Sequence, residues 1–311
     1  MSAIDQLVDA DIDALIEDLQ TLIRQPSVSA KKQGLEECAS LVARIMAKAG
    51  INSEVLHLDD RSIPPIVYGE VKSKSNSRKT LLFYNHYDVQ PVEPLELWNA
   101  DPFSGSRVGN YIFGRGSADD KGELITRIKA VEYYLKKTGD VPCNIRFIVE
   151  GEEEVGSVHV EQYLKKYRDR LTCDGVIWEF GYVDAKDRPI ISLGMKGLLY
   201  VELIAKGPSR DAHSSLAVII ENPAWRLVAA LATMRDSNGR ILISDWYKEV
   251  RDFTEQELAV VAEEPFDEKE FKEEYGVSRF VADAQGKEIK KALVGMPTCN
   301  IAGFDSGYTG P

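Results

Sequence analysis

The first apolar positions of the chain, Ile4, Leu7, Val8, Ile12, Leu15, Ile16, Leu19, Leu22 and Ile23, recur at three- and four-residue intervals, with Pro26 just past the last of them. Residues three and four apart share one face of a helix, so this spacing predicts an amphipathic helix that ends before the proline. A second helical pattern over 35–49 is closed by Gly50, a residue suited to the left-handed turn after a helix end. The period then changes. "SEVLHL", "PIVYGEV" and "KTLLFYN" are short β-rich runs that predict strands. Beyond them "GELITRIKAVEYYLKKTG" reads as helix, "CNIRFIVEGEEE" as strand, "VEQYLKKY" as helix and "DGVIWEF" as strand. Alternating helices and strands predict an α/β domain with a mixed, largely parallel sheet and helices on both faces. In such sheets, ligand groups gather where strands end.

Past "ISLGMKG" the pattern changes again: "LLYVELIAKG" predicts a strand and "NPAWRLVAALATMRD" a helix, so a smaller α+β unit is expected over 197–311, after a first domain over 1–196. Thr254 and Glu257 have the spacing of a capping box, and the acidic run that follows reads as a solvated helical face rather than a cation site. The closing "GFDSGYTGP" is a Gly-rich turn with nothing after it to finish a domain, which predicts an incomplete second unit.

Composition narrows the function classes. A chain of 311 residues with 44% hydrophobic content can bury the cores of two domains. Its formal charge of −12 lacks the clustered Lys and Arg that nucleic acid or an anionic membrane would require. The acidic start does not resemble a signal peptide and no apolar run has membrane-spanning length, so a cytoplasmic location is expected. Cys38, Cys143, Cys173 and Cys299 lie far apart without zinc-finger or redox spacing, so they read as free thiols. A metal here would need oxygen and imidazole ligands.

Groups of that kind sit in four stretches, each at a strand end or in the loop after one: "NHYD" with His86 and Asp88, "GRGSADDKG" with Asp119 and Asp120, "EGEEEVGS" with Glu152, Glu153 and Glu154, and "WEF" with Glu179. Alternation along a strand sends His86 and Asp88 to the same side, the relation of a ligand and its orienting partner. Singly, each stretch has a plainer reading: a structural histidine, a helix cap, a charged turn, a surface acid. Together they would concentrate negative charge that repels itself unless cations are present. Imidazole with several carboxylates suits Zn²⁺, Mn²⁺ or Co²⁺, and carboxylates can bridge two ions. Of Glu153 and Glu154, neighbours that point to opposite sides, one can face metal while the other moves a proton to or from water.

At this point "NHYDVQPVEPLELWNADPF", "IFGRGSADDKG", "EGEEEVGS" and "RDAHSS" resemble the M20 metallopeptidases, in particular the carnosinase-like cytosolic dipeptidases. The resemblance implies two divalent metal ions, zinc first with manganese or cobalt as alternatives. It implies that His86 and Glu179 hold one metal, Glu154 the second, and Asp119 both, across a cis peptide bond to Asp120. It casts Asp88 as the partner that fixes His86, Glu153 as the general base, and His213 as a group that reaches the active site of the other protomer of a homodimer to stabilise the oxyanion. The dimer contacts expected are an edge strand in "LLYVELIAKG" and the helix in "NPAWRLVAALATMRD".

Asp120 is unremarkable beside that pattern, and Glu179 stands where some relatives have Asp. The resemblance also implies a final histidine ligand and lid groups for the substrate carboxylate. Neither can be located in this sequence, and none of His57, His86, His159 and His213 sits in the motif of that final ligand, so this chain alone is expected to be inactive. The substrates implied are small peptides or N-acyl amino acids. The activity implied is dipeptide hydrolysis, with N-acyl-amino-acid deacylation or desuccinylation, or metal binding without catalysis, as alternatives. "GRGSADDKG" lacks the GxxxxGK[ST] pattern and would set aspartates against phosphate, which argues against a nucleotide site.

Overall fold

A computed structural model of the chain describes residues 3–75, 77–179, 181–183, 188–192 and 194–307. The chain divides into two units, Met1–Ser192 and Leu193–Pro311.

The first unit opens with α1 (Ala3–Ile23) and α2 (Leu35–Lys48), followed by β1 (Asn52–Leu56), β2 (Ile66–Val71) and β3 (Thr80–His86). A small hairpin, β4 (Ser106–Val108) with β5 (Tyr111–Phe113), precedes α3 (Lys121–Thr138), β6 (Asn144–Glu150), α4 (Val160–Lys166), α5 (Arg168–Leu171) and β7 (Gly175–Ile177). Among the described residues the main sheet has the order β1-β2-β6-β3-β7. The β1–β2 and β2–β6 pairs are antiparallel; β6–β3 and β3–β7 are parallel. Alternation along the strands splits their side chains between two cores. Val67, Ile145, Phe147 and Val149 face α1, α2 and α3, where they meet Leu22, Val42, Met46, Leu124 and Ile128. Tyr68, Leu82, Tyr84 and Ile148 face the other way and pack with Tyr163 and Leu171. Helices therefore cover both faces, and each fully buried aliphatic side chain contributes about 1.5–3 kcal/mol.

Two glycines explain motif positions by close approach. A Cβ on Gly122 would lie 2.1 Å from the Ser117 carbonyl oxygen, so the turn into α3 admits no side chain there. A Cβ on Gly151 would lie 2.3 Å from the Tyr87 hydroxyl oxygen, so the loop after β6 can cross the buried Tyr87 ring only at glycine.

The second unit holds α6 (Pro223–Met234), α7 (Glu255–Glu263), α8 (Glu268–Tyr275) and α9 (Lys287–Gly295). Thr254 and Glu257 form the expected capping box, and the acidic run divides between α7 and α8. The strand expected over 198–207 is not formed: it joins no ladder, and Leu198, Leu199 and Tyr200 are 89%, 83% and 75% exposed. β preference alone cannot hold a strand without a paired neighbour, and no described segment of this unit offers one. The expected dimer edge is thus absent as a ladder edge. The closing turn, 303–311, lies partly outside the described residues. No helix among the described residues is long and apolar enough to cross a membrane.

Asp18 of α1 ties three helices together, pairing with Lys129 of α3 at 2.6 Å and Lys48 of α2 at 3.0 Å. Burial acts to raise its pKa, but the two lysines outweigh that and hold it below the ordinary 3.8. Its contribution is therefore full above the unfolded pKa and lost as pH falls through the lower folded value. Asp18→Asn is expected to cost about 3 kcal/mol at neutral pH by leaving the buried Lys129 short of a partner. In denaturant titrations the gap should shrink below about pH 4; a gap independent of pH would contradict this.

Candidate metal centre

β3 and β6 run parallel in a register that sets His86 beside Glu150, so both strands release their chains at the same edge. His86 is buried, and its Nδ1 lies 3.0 Å from the Asp88 carbonyl oxygen and 3.4 Å from Asp88 Oδ1. These acceptors hold a proton on Nδ1 and turn Nε2 toward the carboxylates. Around Nε2 stand Asp119 Oδ1 at 3.0 Å, Glu179 Oε2 at 3.4 Å and Glu153 Oε2 at 3.9 Å. Asp88 is fully buried, and its two carboxylate oxygens accept the backbone N–H groups of Glu153 and Glu154 at 3.1 Å each. One side chain thus fixes the histidine and the glutamate pair.

The Asp119–Asp120 peptide is cis. The Asp119 carboxylate is mostly exposed and faces Nε2, whereas Asp120 is buried and its Oδ2 accepts from Asn85 Nδ2 at 2.8 Å and His86 N at 2.9 Å. Asp120 is the residue the sequence reading passed over. One potential ligand atom from each of His86, Asp120 and Glu179 lies within 4.8 Å of the others. Geometry alone therefore offers either aspartate to a cation, but the donors already on Asp120 make it the poorer ligand and the better support. Glu154 is half-buried, with Oε2 accepting from Gln90 Nε2 at 2.8 Å, and does not join the His86 group within ion-pair distance. His213 belongs to the second unit, where Nδ1 accepts from Ser215 N at 3.2 Å.

The charges are unbalanced. Burial lowers the His86 pKa, but hydrogen bonds to Asp119 and Asp88 and the charges of Asp120 and Glu179 overcome it and push the ring up to about 12. Burial pushes Glu179 up to about 8 and Asp120 up to about 7, in each case against the opposing pull of His86. Glu153 and Glu154 are also raised, burial being the largest cause. Carboxylates that are partly desolvated and close to one another favour a cation. Glu179 Oε2 is buried without a hydrogen-bond partner, and that orphaned oxygen beside an imidazole nitrogen fits a divalent metal.

The fold and this site together define an α/β protein with a candidate metal centre at the carboxyl ends of its parallel strands. The model of peptidase family M20/M25/M40 matches residues 82–301, and the chain belongs to that family. It is 32% identical over 252 residues to a human Beta-Ala-His dipeptidase, covering 80% of this chain and 49% of that protein. To a Cys-Gly metallodipeptidase of Schizosaccharomyces pombe it is 30% identical, covering 98% of this chain and 67% of the other. Among solved structures, an M20 family metallo-carboxypeptidase from Sulfolobus solfataricus matches with a TM-score of 0.87 at 38% identity, over 97% of this chain and 67% of its own. The chain thus spans from about half to two thirds of the length of these relatives.

Asp88→Asn would turn an amide NH₂ toward one of the two backbone N–H groups that the carboxylate now accepts. Metal affinity, measured by calorimetry on metal-stripped whole protein, is expected to fall about 10- to 100-fold. An unchanged affinity would show that Asp88 does not set the ligand geometry.

Proposed function

We propose that the whole protein is a cytoplasmic dinuclear metallopeptidase that hydrolyses the amide bond of dipeptides. The observation that carries this reading is the convergence of Asp119, Glu179 and Glu153 on His86 Nε2, with Glu179 Oε2 buried and making no hydrogen bond. In this reading His86 and Glu179 hold one ion and Glu154 the other. Asp119, which stands beside His86, would serve both. Zinc heads the candidate ions, with manganese and cobalt behind it. When bound, such ions polarise the scissile carbonyl and lower the pKa of water toward neutrality.

Glu153 is the general base. Its backbone N–H is fixed by Asp88, which aims its carboxylate at the cluster, 3.9 Å from His86 Nε2. It takes a proton from the attacking water and returns it to the departing amine. His213 of the partner protomer in a homodimer donates to the oxygen on which charge develops. The relatives reported above are named for dipeptide or carboxypeptidase activity, which favours a peptide substrate over N-acyl amino acids.

With whole protein and a dipeptide panel that includes β-Ala-His and Cys-Gly, Glu153→Gln is expected to retain metal by elemental analysis and to lower kcat at least about a hundredfold. Metal loss with normal turnover per bound ion would mean that the roles of Glu153 and Glu154 are exchanged. Mixing inactive Glu153 and His213 variants should restore some activity, since a mixed dimer holds one site with both residues intact. No recovery from verified mixed dimers would contradict a role for His213 across the dimer.

A further inference from the structure

β7 pairs with β3 only from Gly175 to Ile177, and the ladder stops before Glu179. Val176, Ile177 and Trp178 are 48%, 42% and 45% exposed, so packing does not hold this segment from all sides. Two side chains one turn apart on α3 reach it instead. Arg127 Nη2 donates to the Trp178 carbonyl oxygen at 2.6 Å, and Glu123 Oε1 accepts the Gly181 N–H at 2.5 Å. The segment that carries Glu179 is thereby gripped on both sides, through the carbonyl before it and an amide after it.

The grip is anchored to the other half of the site. Arg127 Nη1 donates to the Tyr84 carbonyl oxygen at 2.8 Å and to Asn85 Oδ1 at 3.0 Å, and Asn85 in turn donates to Asp120. Arg127 and Glu123 pair with each other at 3.1 Å, and both side chains are largely buried. The Trp178 ring stacks on Tyr84 with centroids 3.7 Å apart, which fixes the same residue from its side chain. A planar guanidinium with several donors can meet three acceptors on two chain segments at once, which an ammonium cannot do in one plane.

We propose that Glu123 and Arg127 form a clamp that positions Glu179 against His86, making them positioning residues for the metal centre. The inference rests on the reading of Glu179 as a metal ligand. Mn²⁺ binding to metal-stripped whole protein, followed by calorimetry, tests it in Arg127→Ala, Arg127→Lys, Glu179→Ala and the Arg127→Ala/Glu179→Ala double variant. Arg127→Ala is expected to weaken one metal equivalent by about 10- to 100-fold, with Arg127→Lys intermediate. If the clamp works through Glu179, the double variant binds no more weakly than Glu179→Ala alone. Arg127→Lys provides the comparison should Arg127→Ala fold poorly. Parent-like affinity in both Arg127 variants, or losses that multiply in the double variant, would overturn the clamp while leaving the ligand reading intact. No loss in Glu179→Ala would overturn both.

Discussion

The site depends on one buried carboxylate. Asp88 has no access to water, and its charge is met by the N–H groups of Glu153 and Glu154 and by the His86 ring. An ionised acid in the interior is costly unless hydrogen bonds compensate it, so these contacts restrict where three other residues can be. β3 delivers Asp88, β6 delivers the glutamate pair, and their parallel pairing aligns the two ends. The fold therefore sets the distance between the imidazole and the glutamates before any cation binds, which is what a metal centre requires.

Around that point the protein concentrates negative charge on partly buried side chains. Asp119, Asp120, Glu153 and Glu179 all act electrostatically on the one imidazole. Burial raises the pKa of both Glu179 and Asp120, and the neighbouring carboxylates add to the rise at Glu179. A divalent cation would offset that charge, and the same placement that burdens the metal-free protein then serves binding. The two aspartates divide the work: the exposed Asp119 faces the cluster, and the buried Asp120 secures the β3 end through Asn85 and the His86 amide.

Local pattern carried much of this into the sequence. The helices announced themselves by periodicity and capping residues, and β3 by an apolar run ending in His86 and Asp88. That Asp119, Glu153 and Glu179 lie near His86 was legible because each follows a strand or opens a helix in a short motif. The burial of Asp120 was not, because it depends on Asn85, far off in sequence. Arg127 was hidden for the same reason, since its acceptors on Tyr84, Asn85 and Trp178 lie 42 to 51 residues away and its pairing with Glu123 on the same helix does not signal them. The unformed strand at 198–207 shows the opposite case: β preference is local, but a ladder needs a neighbour that the composition of the segment cannot supply.

In the proposed reading His86 Nε2, Asp119 and Glu179 hold a common cation. Anomalous diffraction from crystals grown with Zn²⁺ or Mn²⁺ tests it directly. An ion is expected about 2.0–2.2 Å from His86 Nε2 and from an oxygen of each carboxylate. An ion bound through Asp120 in place of Asp119, or none within reach of His86, would contradict it.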